Sequence, residues 1–372
     1  MIIAINTRFL LPTKMEGFGW FTYEVVKRMV ENHPEHTFLF FFDRAYDNRY
    51  LFAPNVVPVV LRPPARHPIL FILWFEIAVK RALKKHKADV FFSPDGYLSL
   101  RSQVPQVNVI HDLNFVHYPK DLPWSSRVYY NYFFPKFAKK AKHIVTVSNY
   151  TKQDLIDTYQ VSESKITVAW NGANNVFIPL SQHDVEHVRG NLTHGKPYFL
   201  FVGSIHPRKN VKRLIESYLN YREKDATFDL VVVGEPMWKH NQELLALQHE
   251  SIHYTGHLSI QKLVRVMGAA ACFVYVPYFE GFGIPLVEAM RCGVPIIAGN
   301  RTSIPEVVGD AGLLVDPFST EAITDALVKV AQNEDLRNEL AKKSLERRNY
   351  FSWDASAEKI WEVLIQQAYL TK

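Results

Sequence analysis

The feature that most constrains the fold is an alternation of short apolar runs and amphipathic segments along the whole chain. Because the apolar runs lack the strict apolar–polar alternation of half-exposed strands, they predict strands that are buried on both faces. Segments such as GWFTYEVVKRMVEN, SNYTKQDLIDTY and RKNVKRLIESYLNYREK lie between them and have helical periodicity. This alternation predicts an α/β protein whose parallel sheets carry helices on both faces. The strand candidates are MIIAIN, HTFLFFF, VVPVVL, ADVFFS, QVNVIH, HIVTVS, KITVAW, YFLFVGS, FDLVVVG, IHYTG, CFVYVP and VPIIAG.

The length of the chain predicts two domains, because 372 residues exceed what one core of ordinary size accommodates. A polar stretch with Gly and Pro and no strand candidate separates the seventh strand candidate from the eighth, and we interpret it as a linker. The predicted organisation is an N-terminal domain at 1–178, a linker at 179–196, a second domain at 197–352 and a final helix at 353–372.

Composition is that of an ordinary globular protein, with 48% hydrophobic and 22% charged residues. The two cysteines, Cys272 and Cys292, do not support a disulfide framework, and they favour a reducing cytoplasm. The most apolar window, 67–92, is interrupted at Glu76, well short of the roughly 20 apolar residues that span a bilayer. We therefore expect no transmembrane helix, and the N-terminal MIIAINTRFLL is interpreted as a first strand.

The net charge of +6 is unevenly distributed along the chain. Residues 1–175 contain 22 Lys and Arg against 14 Asp and Glu, whereas residues 176–372 contain 21 against 23. A basic half can bind an anionic membrane surface, an anionic substrate or nucleic acid, or its lysines can simply be solvated. Nucleic-acid binders cluster Lys and Arg with aromatics on one face, but here the aromatics lie mostly in strand-like runs. We expect no nucleic acid as partner, and we expect peripheral contact with an anionic membrane surface.

The segment FLFVGSIHPRKNVKRLIES predicts a phosphate site. A strand ends at Gly203, and Arg208 and Lys209 follow where a helix begins. A helix start presents unpaired amides and a positive dipole end, and Arg and Lys add two cations. These groups could hold a diphosphate, or they could be a surface Arg–Lys pair beside a helix cap.

The segment YFEGFGIPLVEAMRCGVP places Glu280 and Glu288 around a glycine-rich helix start. Pro285 suits a first helical turn, and glycines let backbone amides approach a ligand closely. Either carboxylate could accept hydrogen bonds from sugar hydroxyls. Alternatively, Glu288 could be a helix-dipole glutamate and Glu280 a surface residue, or the two could be a glycosidase pair, about 5 or 6.5–9.5 Å apart.

Two N-terminal motifs fall at predicted strand ends. Gly17-Phe18-Gly19 resembles half of a dinucleotide fingerprint, which alone is a weak signal. His111, in VNVIHDLNF, could bind substrate hydroxyls or be a structural histidine. The sequence contains no HExxH motif, no paired cysteines, no D-x-D motif of the kind that holds a metal-bound diphosphate, and no P-loop.

Together these motifs resemble the GT-B glycosyltransferases of the large retaining family 4, also called glycosyl transferases group 1. The resemblance runs along nearly the whole chain. It includes the E-x7-E motif in EGFGIPLVEAM, VGSIHPRKN, DLVVVGEPMW, YTGHLSIQKLVRVM, RTSIPEVVGDAGLLVDP and FSWDASAEKIWEVL, with GFGWFTYEVV, IHDL, VTVSNYTKQDL and WNGAN in the first half. It implies two Rossmann-like domains that face each other across a cleft, with the final helix crossing back to the first domain.

The resemblance also implies residue roles. Arg208 and Lys209 would hold the donor diphosphate, Glu280 would contact the transferred sugar and His111 would contact it near its reacting end; these four form the expected catalytic set. The expected donor-binding residues are Gly19, Gly203, Leu258 (for the base), Phe282, Gly283 and Ile284 (through amides) and Glu288 (for the ribose), and the expected acceptor-binding residues are Gly17 and Phe18.

The activity that the resemblance implies is transfer of a hexose from a nucleotide-diphosphate sugar to a glycan or lipid-linked acceptor with retention, without metal or other cofactor, in cell-surface polysaccharide synthesis. GDP-mannose is the expected donor, because the motifs are similar to those of bacterial polysaccharide mannosyltransferases. UDP-glucose, UDP-N-acetylhexosamines and other hexose donors are the alternatives. The expected location is the cytoplasm, at the inner face of the membrane. A nucleotide-sugar epimerase of the same fold and a non-catalytic nucleotide-sugar binding protein are the alternatives.

Overall fold

The strand-like runs of the sequence form two parallel sheets in the computed structural model, which describes residues 1–11, 15, 17–235 and 248–370. The first sheet has seven strands in the order β3-β2-β1-β4-β5-β6-β7, and every pair is parallel. Its strands are β1 (Ile2–Asn6), β2 (Thr37–Phe42), β3 (Val56–Val60), β4 (Val90–Ser93), β5 (Gln106–Ile110), β6 (His143–Thr146) and β7 (Ile166–Val168).

The second sheet has six strands in the order β10-β9-β8-β11-β12-β13, and they are also parallel. Its strands are β8 (Tyr198–Val202), β9 (Asp229–Val233), β10 (Ile252–Gly256), β11 (Cys272–Tyr275), β12 (Ile296–Gly299) and β13 (Gly312–Val315). All residues of β4, β5, β8, β9, β11 and β12 are buried, as expected for strands covered on both faces. The twelve predicted strands and the α/β class are confirmed.

Strand β13 was not predicted. It has four residues, of which only Val315 is buried, and it lies at the edge of its sheet. A short, partly exposed strand that begins with a glycine has neither the length nor the apolar density on which the other predictions rested.

Helices join the strands in both sheets. A continuous helical segment runs from Pro68 to Lys85, with one π-helical turn in its middle. The helices are α1 (Gly17–Asn32), α2 (Pro68–Leu73, then the π turn Trp74–Val79), α3 (Lys80–Lys85), α4 (Asn114–His117), α5 (Trp124–Lys140), α6 (Asn149–Tyr159), α7 (Gln182–Thr193), α8 (Val211–Lys224), α9 (Ile260–Gly268), α10 (Ile284–Arg291), α11 (Ile304–Val308), α12 (Thr320–Gln332), α13 (Glu334–Arg347) and α14 (Trp353–Tyr369).

The chain divides into two compact units, Met1–Asn171 with Ser352–Lys372 and Gly172–Phe351. The segment 179–196 was predicted to be a linker. In the structure it contains helix α7 and belongs to the second unit. The Ser181 side chain caps this helix, and Arg189 donates from Nε to the Ala269 carbonyl at 2.9 Å. The helix is polar because most of its surface faces solvent, and this composition resembles that of a linker.

The final helix, α14, packs within the first unit. Its Trp361 ring stacks on His33 with centroids 3.7 Å apart, and Trp353 meets Phe21 edge-on at 5.9 Å. The prediction for this segment, 353–372, includes residues 371 and 372, which lie outside the described residues. In the described part of the chain, no helix combines the length and the apolar character needed to cross a bilayer.

Candidate functional site

The topology of the second sheet brings the two main predicted motifs together. Strand β8 lies between β9 and β11, so the chain connections leave it in opposite directions. Ligands of open α/β sheets bind at such a switch point, outside the carboxyl ends of the strands. The loop after β8 carries Arg208 and Lys209, and the loop after β11 carries Glu280.

Arg208 and Lys209 lie on a 3-10 turn, Pro207–Lys209, that precedes helix α8. The sequence placed them where the helix begins, but the helix starts two residues after Lys209. Asn210 separates the two elements because it adopts a left-handed conformation with φ of 61°. Its side-chain amide donates to the carbonyls of Val276 and Pro317 at 2.9 and 2.7 Å, which ties the turn to the loops after β11 and β13.

Glu280 forms ion pairs with both cations of the turn. Its Oε2 lies 2.6 Å from Nη1 of Arg208 and 2.7 Å from Nζ of Lys209. Lys209 also donates to the hydroxyl of Tyr275, which is fully buried in β11. Glu280 and Lys209 are buried, at 9% and 8% exposure, so this pair is largely shielded from solvent.

The cations determine the ionisation of Glu280. Burial alone would raise the pKa of its carboxyl, but the charges of Arg208 and Lys209 and their hydrogen bonds outweigh burial and hold the pKa below its ordinary value. The carboxylate is therefore ionised at neutral pH. Two cations and one anion leave a net positive charge at the switch point, which favours an anionic ligand.

The glycine turn before α10 needs glycine at position 283. Gly283 has φ of 94°, and a Cβ there would approach Leu286 and Ile304 to 3.0 and 3.2 Å. No side-chain hydrogen bond caps the helix start at Gly283, while the adjacent Phe282 side chain is buried edge-on against Phe351. The contact of the Phe282, Gly283 and Ile284 amides with a ligand stays a prediction.

Glu288 lies in the second turn of α10 and is half-buried. Burial raises the pKa of its carboxyl from 4.5 to about 7. Within the described residues, no hydrogen bond or ion pair to its carboxyl is recorded. A half-buried carboxyl of this kind gains from hydrogen bonds that a ligand brings, which suits the expected ribose contact.

Three adjacent strands of this sheet, β8, β9 and β10, end in or directly before a glycine with positive φ. At Gly234 a Cβ would come within 1.9 Å of the Gly203 carbonyl oxygen, so only glycine fits where the two strand ends meet. Gly256 ends β10 and is followed closely by Leu258, which is half-buried. Leu258, which is expected to meet a base, thus lies two residues after the end of β10.

In the first unit, His111 follows β5 and is held as a neutral ring. Its Nε2 donates to the Pro94 carbonyl at 2.8 Å, and the rings of Phe18 and Phe21 lie edge-on at 4.7 and 4.8 Å. Burial lowers the pKa of His111 to about 4, although the Pro94 carbonyl and Asp95 act in the opposite direction. With Nε2 protonated, Nδ1 is left as a hydrogen-bond acceptor.

A buried polar network fixes the loop that holds His111. Arg8 pairs with Asp95 at 2.6 Å, and Asn6 donates to Asp95 and Ser93 at 2.9 and 3.1 Å. These residues lie at the ends of β1 and β4, the switch point of the first sheet. The network was not predicted, because its members are separated by more than 80 residues in sequence.

The predicted Gly17-Phe18-Gly19 motif begins helix α1. Gly19 is required by packing, since a Cβ there would lie 2.7 Å from the Phe9 carbonyl oxygen. A Cβ at Gly17 would meet none of the described residues within 4 Å, and Phe18 is 43% exposed while touching the His111 ring. Phe18 and His111 therefore form one surface of the first unit, whereas the Gly19 side is closed by Phe9.

Two further residues of the second unit were missed by the sequence reasoning. Tyr275 contacts Lys209, and Asn210 joins three loops. The signal for Tyr275 is a hydroxyl at the last position of an otherwise apolar strand; for Asn210 it is a residue type that tolerates left-handed backbone beside two cations. Within the described residues, no group of three or more His, Cys, Asp or Glu side chains could hold a metal ion. The expectation that no metal is needed stays a prediction.

Comparison with known families assigns both halves of the chain. The family model "Glycosyltransferase Family 4" matches residues 15–175, and "Glycosyl transferases group 1" matches residues 183–347. The chain belongs to glycosyltransferase family 4. The predicted family and the prediction that the chain is a glycosyltransferase are thereby confirmed.

Relatives with curated names include O-antigen glycosyltransferases. The chain is 28% identical over 298 residues to O-antigen chain mannosyltransferase B of Escherichia coli, which covers 78% of each chain. It is 26% identical over 289 residues to O-antigen chain mannosyltransferase RfbU of Salmonella typhimurium, which covers 76% of each.

Solved glycosyltransferases share the fold. WaaG, a glycosyltransferase involved in lipopolysaccharide biosynthesis, aligns with a TM-score of 0.77 at 17% identity over 97% of this chain and 99% of its own. HepE from Anabaena, solved with UDP-glucose, aligns at 0.76 with 16% identity over 98% and 100%. Sucrose-phosphate synthase from Thermosynechococcus elongatus aligns at 0.79 with 18% identity over the full length of both. The predicted fold class is confirmed.

Proposed function

We propose that this glycosyltransferase moves a hexose, mannose from GDP-mannose, to a glycan or lipid-linked oligosaccharide with retention of anomeric configuration. The reaction belongs to cell-surface polysaccharide synthesis and takes place on the cytoplasmic side of the membrane. The observation that carries the proposal is the cluster of Arg208, Lys209 and Glu280 at the switch point, beside the open helix start at Gly283.

The cluster suits a leaving diphosphate. As the bond between the sugar anomeric carbon and the phosphate oxygen breaks, negative charge grows on the diphosphate and positive charge on the sugar. Arg208 and Lys209 stabilise the first charge, and the amides of Gly283 and Ile284 add dipoles at the α10 start. Because Glu280 holds both cations in place before the donor binds, little reorganisation is needed during the reaction.

Glu280 has two roles in this proposal. Its Oε2 positions the cations. We also expect its negative charge to lie near the sugar, which develops positive charge during the reaction. A sugar hydroxyl can donate to the same carboxylate, as the resemblance implies, because a carboxylate accepts several hydrogen bonds. Glu288 accepts the ribose hydroxyls, and the half-buried carboxyl gains the partners that it lacks among the described residues.

The strand order sets the direction of the nucleotide. Adjacent strands are about 4.8 Å apart, so the end of β10 lies roughly 10 Å from β8. A base held near Leu258 and a diphosphate held at Arg208 and Lys209 are then separated by about one nucleoside. We therefore expect the sugar at the β11 side, beside Glu280, and the strand order supports this orientation.

In the first unit, the residues for the sugar and acceptor are His111, Phe18 and Gly17. The Nδ1 of the neutral His111 ring can accept from a sugar hydroxyl, while exposed Phe18 offers an apolar face. With retention, the acceptor hydroxyl attacks on the face that the diphosphate leaves. The departing phosphate oxygen takes the acceptor proton, so no protein base is required.

The choice of mannose rests on the two O-antigen mannosyltransferases to which the chain is similar. HepE was solved with UDP-glucose, which makes UDP-glucose the first competing donor to test. Transfer needs no metal in this proposal, because Arg208 and Lys209 supply the positive charge. Activity should therefore persist in excess chelator.

A donor panel tests the proposal. Thermal unfolding is measured with GDP-mannose, UDP-glucose, UDP-N-acetylglucosamine and the free nucleotides, and the donor that stabilises most is used in transfer assays with lipid-linked acceptors. GDP-mannose should stabilise most and yield an α-linked product from the α-linked donor. Product formation from another donor only would overturn the mannose assignment.

The same assay run without acceptor separates the alternatives. An epimerase would convert the donor sugar to its epimer in the absence of acceptor, and a binding protein would be stabilised without forming any product. Either outcome contradicts the proposed transfer.

A further inference from the structure

Two helical segments of the first unit carry more positive charge than the whole chain. Residues 66–87 and 124–142 together contain eleven Lys and Arg and one acidic residue, Glu76, which gives them a charge of +10 against +6 for the chain. The remaining residues are therefore net negative, at −4. Glu76 is buried and accepts from the backbone amides of Leu100 and Arg101, so it does not offset the exposed cations.

The first segment has a solvent-exposed stripe that is apolar and then cationic. Its apolar half consists of Ile69, Ile72, Leu73 and Ile77, which are 63%, 37%, 38% and 39% exposed. The same stripe continues into α3 with exposed basic side chains, namely Lys80, Arg81, Lys84 and Lys85. The opposite side of the segment is buried in the core, through Trp74, Phe75, Val79 and Leu83.

Helix α5 repeats the pattern. Trp124, Val128 and Tyr132 recur every four residues and are 70%, 48% and 58% exposed. The stripe continues with Lys136, whose Nζ lies 3.3 Å from the centroid of the Tyr132 ring, and with Lys139. Both elements thus have apolar residues in the first half of their exposed stripe and cations in the second half.

The two apolar halves are neighbours. Phe71 of α2 meets Tyr129 of α5 with ring centroids 5.5 Å apart, and both rings contact Tyr97 beneath them. Ile72 follows Phe71 and Val128 precedes Tyr129, so the exposed side chains flank this contact. We name these exposed residues of Pro68–Lys85 and Trp124–Lys140 the basic–apolar face.

We propose that the basic–apolar face binds the surface of an anionic lipid bilayer. Exposed Ile, Leu, Val and Trp side chains insert at the boundary of headgroups and acyl chains, where Trp and Tyr are favoured, and the cations meet anionic headgroups. A nucleic acid would use the cations but would leave four exposed aliphatic side chains in water. Charge complementarity and exposed apolar area together therefore select the bilayer.

The proposal is independent of the donor chemistry, since none of these residues is placed in the nucleotide site. Co-sedimentation with vesicles of phosphatidylcholine and phosphatidylglycerol, and with vesicles of phosphatidylcholine alone, tests it. The full chain should partition at least about 10-fold more strongly to the anionic vesicles, and added salt should weaken this binding.

Two double variants test each half of the face. Lys84→Glu/Lys85→Glu and Ile69→Ser/Trp124→Ser should each reduce vesicle binding about 10-fold or more. The matched controls are Lys329→Glu/Lys342→Glu, with the same change of charge on exposed lysines of the second unit, and Tyr350→Ser, at a side chain that is 63% exposed. All controls should bind vesicles as the unaltered protein does.

Circular dichroism and nucleotide-induced thermal stabilisation establish that the variants are folded, and both should be unchanged. A failed donor assignment would therefore leave the vesicle result intact. Equal binding to neutral and anionic vesicles, or equal losses in the face variants and their controls, would overturn the proposal. Retention of duplex DNA in place of vesicles, lost in the same face variants, would overturn it as well.

Discussion

Lys209 and Glu280 form a buried ion pair in which Nζ and Oε2 are 2.7 Å apart, although the two residues are 71 positions apart in sequence. The pair joins the loop after β8 to the loop after β11 and is shared with Arg208. In the sequence, the predicted phosphate site and the predicted sugar-binding glutamate belong to two separate motifs. In the structure, their side chains form one cluster of charges. The first two predictions concern this cluster.

Lys209→Ala should abolish most of the transfer while the fold survives. The variant removes one of two charges that stabilise the leaving diphosphate, and losing such a group typically costs about 10²–10³-fold in rate. Steady-state kinetics of donor turnover measures the effect. Lys212→Ala, at an exposed lysine one turn further along, is the matched control and should retain activity. Unchanged turnover in Lys209→Ala would contradict the assignment.

Glu280→Gln should destabilise the protein as well as slow transfer. It leaves Lys209 buried without its counter-charge, and breaking a buried pair on one side costs about 3 kcal/mol or more of unfolding free energy. Urea unfolding at neutral pH measures this change. Glu31→Gln, which breaks an exposed pair with Lys27, is the control and should have almost no effect. Equal stability of both variants would argue that the Glu280 pair is solvated.

Glu288→Gln should alter the pH dependence of stability. Burial raises the pKa of Glu288 from 4.5 to about 7, so the native state holds this proton more tightly than the unfolded state does. The unfolding free energy should fall as pH rises from 4.5 to 7, by up to roughly 3 kcal/mol from this group, and should level off above it.

The measurement is urea unfolding at pH 5 and pH 8. Glu288→Gln should lose this part of the pH dependence and gain stability at pH 8 relative to the unaltered protein. Glu358→Gln, at an exposed position of α14, should keep the original slope. If Glu288→Gln keeps it too, the carboxyl is not desolvated.

Two glycines of α1 should respond differently to replacement by alanine. Gly19→Ala places a Cβ 2.7 Å from the Phe9 carbonyl oxygen, whereas a Cβ at position 17 meets no atom of the described residues within 4 Å. The first should destabilise by about 1–3 kcal/mol, and the second should be neutral or gain up to about 1 kcal/mol of helix propensity. Thermal unfolding of both variants measures the contrast. A loss at position 17 that equals the loss at position 19 would contradict the close approach.

The sheets could be predicted because each apolar run carries its own signal. β8 and β11 are buried throughout, and their sequences consist of aliphatic and aromatic residues and one cysteine. Strand β13 and helix α7 could not be predicted. The sequence of β13, which is short and mostly part-exposed, resembles a loop, and the polar sequence of α7 resembles a linker. These elements depend on tertiary contacts, such as that of Arg189 with Ala269, which a local pattern does not contain.

The individual residues of the site could be predicted from local motifs, but the contacts between these motifs could not. The sequence identified Arg208, Lys209 and Glu280 separately, but it assigned Glu280 to the sugar alone, since nothing local indicates a pair 71 positions apart. Gly234 was not predicted, because the need for glycine there comes from the carbonyl oxygen of Gly203 at the end of the neighbouring strand, which a side chain would contact. The roles of these residues toward a donor stay predictions.

In the proposed reaction, Arg208 and Lys209 bind the diphosphate of the donor. This contact can be measured by calorimetric titration of the unaltered protein and of Lys209→Ala with the nucleoside diphosphate and monophosphate of the preferred donor. The unaltered protein should bind the diphosphate at least about 10-fold more tightly than the monophosphate, and Lys209→Ala should lose most of this difference. An equal preference for the diphosphate in both proteins would show that Lys209 does not bind it.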